Sequence, residues 1–240
     1  MKTLSSPTKR GFTLLETVIA IGVLAVLLTG FMVVFAPAAE GIRKSIDVQQ
    51  ADRLASTLEQ ELVTLRTGQA TASITTGFDK SFDWIQSSNS AANALLVYQY
   101  RGKTNKLRTG DGTPEPEPSV KDKLPGKDYV VVPMMRRISD SKFTEDLAAV
   151  EGAVYLVKCT QLVFTGGELK AGTPGKIKDP KGTVASVSSA ATYPEAVIAF
   201  SADFHIMPAK TDAYFKGKAF ATKFTAVKNP LFTRNLAVRR

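Results

Sequence analysis

One stretch limits what this chain can be. From Phe12 to Ala36, 25 consecutive residues carry a single ionisable side chain, Glu16, and the other polar groups are the hydroxyls of Thr13, Thr17 and Thr29. A helix of that length spans roughly 37 Å, enough to cross a hydrocarbon layer of about 30 Å with some tilt. Two features separate it from a plain anchor. Lys9, Arg10 and Gly11 stand directly against the apolar run, and a carboxylate lies four residues inside it. A charge within a bilayer is expensive, so Glu16 is expected to have a partner or a function.

The string Lys9-Arg10-Gly11-Phe12-Thr13-Leu14-Leu15-Glu16, with the apolar run behind it, resembles the N-terminus of type IV pilins and of the pseudopilins of type II secretion. The resemblance implies a leader recognised through Lys9 and Arg10 and cut by prepilin peptidase between Gly11 and Phe12. It further implies N-methylation at Phe12 and a role for Glu16 in assembly with other pilin or pseudopilin subunits. Beyond the apolar run the likeness is one of layout, and it points most nearly to the J-type minor pseudopilins. Physical chemistry agrees with that role. Cleavage before Phe12 would create a cationic amine about 6 Å along the helix from Glu16. In a filament the amine of one subunit would lie beside the Glu16 of a neighbour, and the two charges attract far more strongly in a low-dielectric layer than in water. An unpaired carboxylate would thus penalise the isolated subunit.

Two other readings of the same stretch stand beside this one. Glu16 could be the headgroup-level residue of a simple single-pass anchor in inner-membrane lipid. Ala36-Pro37-Ala38 also has the pattern of a signal-peptidase site, although the apolar segment of a signal peptide is usually about 7–15 residues long.

The organisation that follows is a leader at 1–11, a transmembrane and assembly helix at 12–36, an amphipathic continuation at 37–67, and a β-rich periplasmic globular domain at 68–240. Formal charge is +9, or +6 once Lys2, Lys9 and Arg10 leave with the leader. The basic leader orients the N-terminus to the cytoplasm. Cys159 is the lone cysteine, so no intrachain disulfide is available.

Pro37 and Gly41 are expected to interrupt the helix, which resumes from Ile42 to Arg66. There Ala51, Leu54, Ala55, Leu58, Leu62 and Leu65 form one stripe, with Arg53, Gln60, Glu61 and Thr64 opposite. Residues 67–93 read as a polar loop pinned by Trp84. Strands are expected over Leu95–Arg101, Tyr129–Val132 (ended or kept to an edge by Pro133), Ala153–Thr165, Val197–Ile206 and Leu231–Val238. A short helix, capped by Ser141 or Thr144, is expected over Ser141–Val150. The fold class is therefore α+β: a long helix spine on an antiparallel sheet.

No catalytic constellation emerges, and no cofactor or metal is expected. Ser201, Asp203 and His205 share one strand face, but such neighbours stand nearly 7 Å apart and do not converge as a nucleophile and base must. They read as a solvated face. Asp111, Glu115 and Glu117 lack the spacing of a calcium loop and read as a solvated connection. Last comes the basic C-terminal segment. Lys216, Lys218, Lys223, Lys228 and Arg234 lie among Tyr214, Phe215, Phe220, Phe224 and Phe232, a mixture that suits an anionic partner. Nucleic acid, tracked by lysines and stacked on aromatics, is the alternative function, that of a DNA-binding minor pilin. A basic patch facing an acidic subunit, or a soluble edge with its aromatics turned inward, are the others.

Overall fold

Side chains alternate across a strand, so a strand apolar at every position needs cover on both faces. Val154, Tyr155, Leu156 and Val157 form such a run, as do Leu95 to Tyr98, and all eight are buried. The computed structural model, which describes residues 13–183 and 187–240, supplies cover on both sides. The chain divides into two units, Met1–Asp47 and Val48–Arg240.

Within the first unit the described residues are helical from Leu14, the start of α1 (Leu14–Val63). The helix continues through Pro37 and Gly41 rather than breaking there. Proline inside a helix removes one backbone donor and crowds the carbonyl four residues earlier, at a cost of about 3 kcal/mol, yet α1 is continuous across Pro37. No side chain between Leu14 and Phe35 is buried, and Leu14, Val26 and Val33 are each more than two-thirds exposed.

The second unit contains the rest: α2 (Gly77–Ser87), β1 (Leu95–Leu107), β2 (Pro114–Pro116), β3 (Tyr129–Arg137), α3 (Ser141–Leu147), β4 (Val150–Thr165), β5 (Glu168–Ala171), β6 (Val197–Ile206), α4 (Asp212–Lys216), α5 (Lys218–Ala226) and β7 (Phe232–Arg239). All strand pairs are antiparallel. β1 pairs with β3 and β4, β4 with β6, and β6 with β7; β2 adds to β1 and β5 to β4. Leu54, Leu58 and Leu62 of α1 pack on one face with Leu95, Val97, Tyr155, Val157, Phe200 and Phe204. This is the long helix on an antiparallel sheet that the sequence predicts, with seven strands among the described residues, two of which, β2 and β5, were not expected.

The other face holds a second layer that the pattern did not announce. Phe143 of α3, Phe215 of α4, and Phe220 and Phe224 of α5 cover Leu96, Tyr98, Val154 and Leu156. The polar face expected for β6 is accordingly corrected. His205 is 3% exposed, with Nδ1 3.2 Å from the carbonyl of Asn229, whereas Ile206 at the strand end is 38% exposed.

Other boundaries move for identifiable reasons. β3 runs through Pro133, which pairs with Gln99; as an edge strand, β3 can present the residue lacking an N–H outward. The expected polar loop at 67–93 contains α2, begun by a capping box in which Thr76 and Asp79 each bond the other's backbone N–H. Asp140, not Ser141 or Thr144, caps α3 and accepts from the N–H of Lys142 at 2.9 Å. Helix α1 ends at Val63, before Gly68. Glu61, expected on its outer side, is buried and ion-paired to Arg66.

Lys80 closes the α1 end. It is fully buried, donates to the carbonyls of Glu61 (2.5 Å) and Thr64 (2.6 Å), and lies 4.4 Å over the Trp84 ring. Burial pulls its ammonium down to about 8, against the opposing pull of Glu61. Gly77 lets α2 approach this closely: a Cβ there would meet the Val63 carbonyl oxygen at 1.9 Å. Gly77→Ala is expected to cost about 1–3 kcal/mol, the range for overpacking against a backbone that cannot yield. Guanidinium unfolding of the full chain in mild detergent, followed by the fluorescence of Trp84, measures it.

Candidate processing and assembly site

Lys9, Arg10, Gly11 and Phe12 lie outside the described residues. The structure places Glu16, and it changes how that residue is understood. Thr13 precedes the first helical residue, and the Glu16 Oε2 accepts from the Thr13 N–H at 2.8 Å and from its hydroxyl at 3.0 Å. In return the Glu16 N–H donates to the Thr13 hydroxyl at 3.2 Å. This is a reciprocal capping box, the carboxylate occupying the third helical position where it satisfies a donor that the helix itself cannot. The expectation of an unpaired carboxylate is therefore corrected: in the single chain Glu16 is partnered within its own first turn. The Thr-x-x-Glu spacing ahead of an apolar run was a legible signal for it.

The surface beyond Glu16 is apolar on every side. Ile19, Ile21, Leu24, Leu27 and Leu28 are all more than half exposed, and Phe31 stacks on Phe35 with centroids 3.8 Å apart. Among the described residues, α1 is the helix long and apolar enough to cross a membrane, and none of its apolar window is buried. A helix so uniformly apolar is stable only where something other than water surrounds it: lipid, or like helices.

The basic C-terminal segment is split by the sheet. Lys216, Lys218, Lys223 and Lys228 are exposed on or beside α4 and α5, on the face away from α1. Arg234 shares its strand face with buried Leu236 and Val238, and its guanidinium bonds Asp52 of α1 at 2.8 Å. Phe215, Phe220 and Phe224 point inward as core, and Lys216 pairs with Asp212 at 2.8 Å. The lysines thus form a cationic helix face without exposed aromatics between them.

The acidic residues near the β1–β2 turn are also not a solvated loop. Asp111 and Glu117 are buried, and each carboxylate is committed to a different cation. Glu115 meets Lys103 (3.3 Å) and Lys106 (2.9 Å), Glu117 meets Lys123 (2.5 Å), and Asp111 meets Arg136 (2.8 Å). Among the described residues no group of three or more His, Cys, Asp or Glu side chains is arranged to hold a metal.

Arg136 is the hub of a cluster that no local pattern foretells. Only 1% exposed, it donates to Asp111 (2.8 Å), Asp140 (3.0 Å) and Asp146 (3.0 Å). Asp146 also accepts from Arg108 (2.7 Å) and the Tyr98 hydroxyl (2.6 Å). Burial alone would raise the Asp111 carboxyl, but hydrogen bonds from Thr113 and Arg136 hold it well below the usual carboxylate range. Burial and the adjacent Asp146 push the Tyr98 phenol up, so it remains a donor.

Comparison with curated proteins and with solved structures returned no match. Residues 7–32, which contain the capping box and the start of the apolar helix, match the family model described as the prokaryotic N-terminal methylation motif. The likeness is thus to the N-terminal motif of prepilin-processed, type IV pilin-like proteins, over about a tenth of the chain.

Proposed function

We propose that this chain is a minor structural subunit of a pilus-like filament, a type II secretion pseudopilus or a type IV pilus-like assembly, and not an enzyme. Prepilin peptidase, engaging Lys9 and Arg10, cuts between Gly11 and Phe12 and methylates Phe12. The precursor sits in the inner membrane with its N-terminus cytoplasmic and its globular unit periplasmic, and enters the filament by packing its Phe12–Ala36 helix against those of sibling subunits. The observation that carries this reading is the coincidence, in one segment, of the methylation motif at 7–32 with an apolar helix exposed all round.

Glu16 then has two successive partners. In the single subunit it closes its own helix cap; in the filament the amine of a neighbouring Phe12 competes for the same oxygen. The DNA-binding alternative draws less support, because the phenylalanines that would stack on bases are core residues. Deleting the prepilin peptidase in the native host is expected to leave the chain at precursor mass and absent from sheared or pelleted filaments. Normal maturation in that strain would refute the proposal.

A further inference from the structure

The single histidine of the chain sits at a junction that the filament reading does not use. His205 of β6 pairs across the sheet with Leu156 of β4, on the face covered by α4 and α5, and is 3% exposed. Its Nδ1 lies 3.2 Å from the carbonyl oxygen of Asn229, in the connection between α5 and β7. A carbonyl can only accept, so this contact fixes the neutral tautomer with its proton on Nδ1 and leaves the lone pair on Nε2.

Beside it, Lys158 of β4 holds the end of α5. Its ammonium donates to the carbonyl of Phe224 at 2.8 Å and to that of Val227 at 3.5 Å, and lies 4.4 Å over the Phe224 ring. Phe224 is among the last four residues of α5, whose carbonyls the helix leaves without donors of its own. Two side chains from neighbouring strands thus tether one segment, Phe224 to Asn229. The charges around the imidazole are unequal. Lys158 faces it from β4 and Lys223 from α5, against Asp203 on its own strand, which already accepts from the Thr233 hydroxyl of β7 at 2.7 Å. Burial pulls the imidazole below its ordinary value; the two lysines add to that pull, and the Asn229 carbonyl and Asp203 oppose it.

We propose that His205 is an acid-sensitive latch on α5: a proton taken up at Nε2 sets a third cation beside Lys158 and Lys223, and the segment from Lys218 to Asn229 leaves the sheet. Release lets water solvate the imidazolium. It uncovers Phe220 and Phe224, both buried, and the Leu96 and Leu156 surface beneath them. The sign is definite. A histidine held neutral in the fold gains its proton on release, so opening is favoured as pH falls below about 6.5 and levels off below the folded value. The inference goes beyond the filament reading and does not depend on it, because every residue involved lies in the second unit.

With one histidine in the chain, one pair of ring-nitrogen resonances reports it. The untagged full chain, labelled with nitrogen-15 histidine in mild detergent, is expected to show the Nδ1–H tautomer at pH 7.5 and to be more than half neutral at pH 6.5. An Nε2–H tautomer or an imidazolium at pH 7.5 would overturn the proposal. Hydrogen exchange read by mass spectrometry then compares the segment 218–229 at pH 7.5 and 5.5, after correction for intrinsic exchange rates. Its opening constant is expected to rise about three- to tenfold, since one proton allows at most about tenfold per pH unit. A peptide covering 154–159 of β4 is expected to rise less. His205→Asn, which keeps a donor near the Nδ1 position and cannot titrate, is expected to abolish the rise. No rise in the native chain, an equal rise in β4, or a rise that persists in His205→Asn would overturn the proposal; should that variant fail to fold, the tautomer and the native comparison with β4 decide it.

Discussion

Replacing Arg136 with leucine is expected to destabilise the second unit by about 3–5 kcal/mol, the range found when one partner of a buried ion pair is removed. The side chain is 1% exposed, and its loss removes one of two cations from each of Asp111 and Asp146, which are 2% and 0% exposed and keep Lys142 and Arg108 respectively. A domain is stabilised by only about 5–15 kcal/mol in total, so this one change consumes much of the margin. The opposite substitution separates charge from packing: Asp146→Asn keeps the shape and leaves Arg136 with Asp111 and Asp140, so a smaller loss is expected. The pH dependence has a definite sign. Asp111 is depressed in the folded state, so its contribution is fully present above the unfolded carboxyl range, near pH 4, and is lost as pH falls through the lower folded value. Arg136→Leu should therefore flatten the acid limb of stability. Guanidinium midpoints between pH 3 and 7 measure both effects, and a midpoint shift of less than about 1 kcal/mol at pH 7 would show that the cluster contributes little.

Glu16→Ala is expected to reduce recovery of the chain with sibling subunits by at least about tenfold, while cutting after Gly11 continues. The substitution removes both partners attributed to this carboxylate, its own cap at Thr13 and the amine of a neighbour. Thr13→Ala separates the two: it removes the hydroxyl of the cap but keeps the charge for a neighbour, so co-purification should fall far less. Quantifying the chain in sheared filaments by immunoblot, against its level in membranes, distinguishes these outcomes. Equal losses in the two variants would mean that the helix cap, rather than the charge, governs assembly.

Where local chemistry decided the structure, the residues announced it. The apolar run declares itself by its length, and the leucine stripe of α1 and the alternation of β6 each express a period, from which the helix-on-sheet fold follows. Two short signals were present but passed over, Thr13-x-x-Glu16 and Thr76-x-x-Asp79, both capping boxes. Helices α4 and α5 were hidden for another reason. Lys216, Lys218 and Lys223 dominate the composition there, so that Phe215, Phe220 and Phe224, spaced five and four apart, read as partners of the lysines instead of as the buried side of two helices. Burial of His205 follows from that unexpected layer. The Arg136 cluster could not have been read at all. Its acids lie 25, 4 and 10 residues away, and only the pairing of β1 with β3 and the return through α3 bring them together.

The N-terminal motif was legible in the sequence alone, and the family match covers it at residues 7–32; cleavage between Gly11 and Phe12 remains the proposal built on it. The account therefore stands on one chemical event, and the mass of the N-terminal peptide of the mature chain from its native host tests that event most directly. A peptide that begins at Phe12 and bears one added methyl group is the predicted result. A peptide that begins at Met1, or at Ala39 after the Ala36-Pro37-Ala38 sequence, would contradict the account.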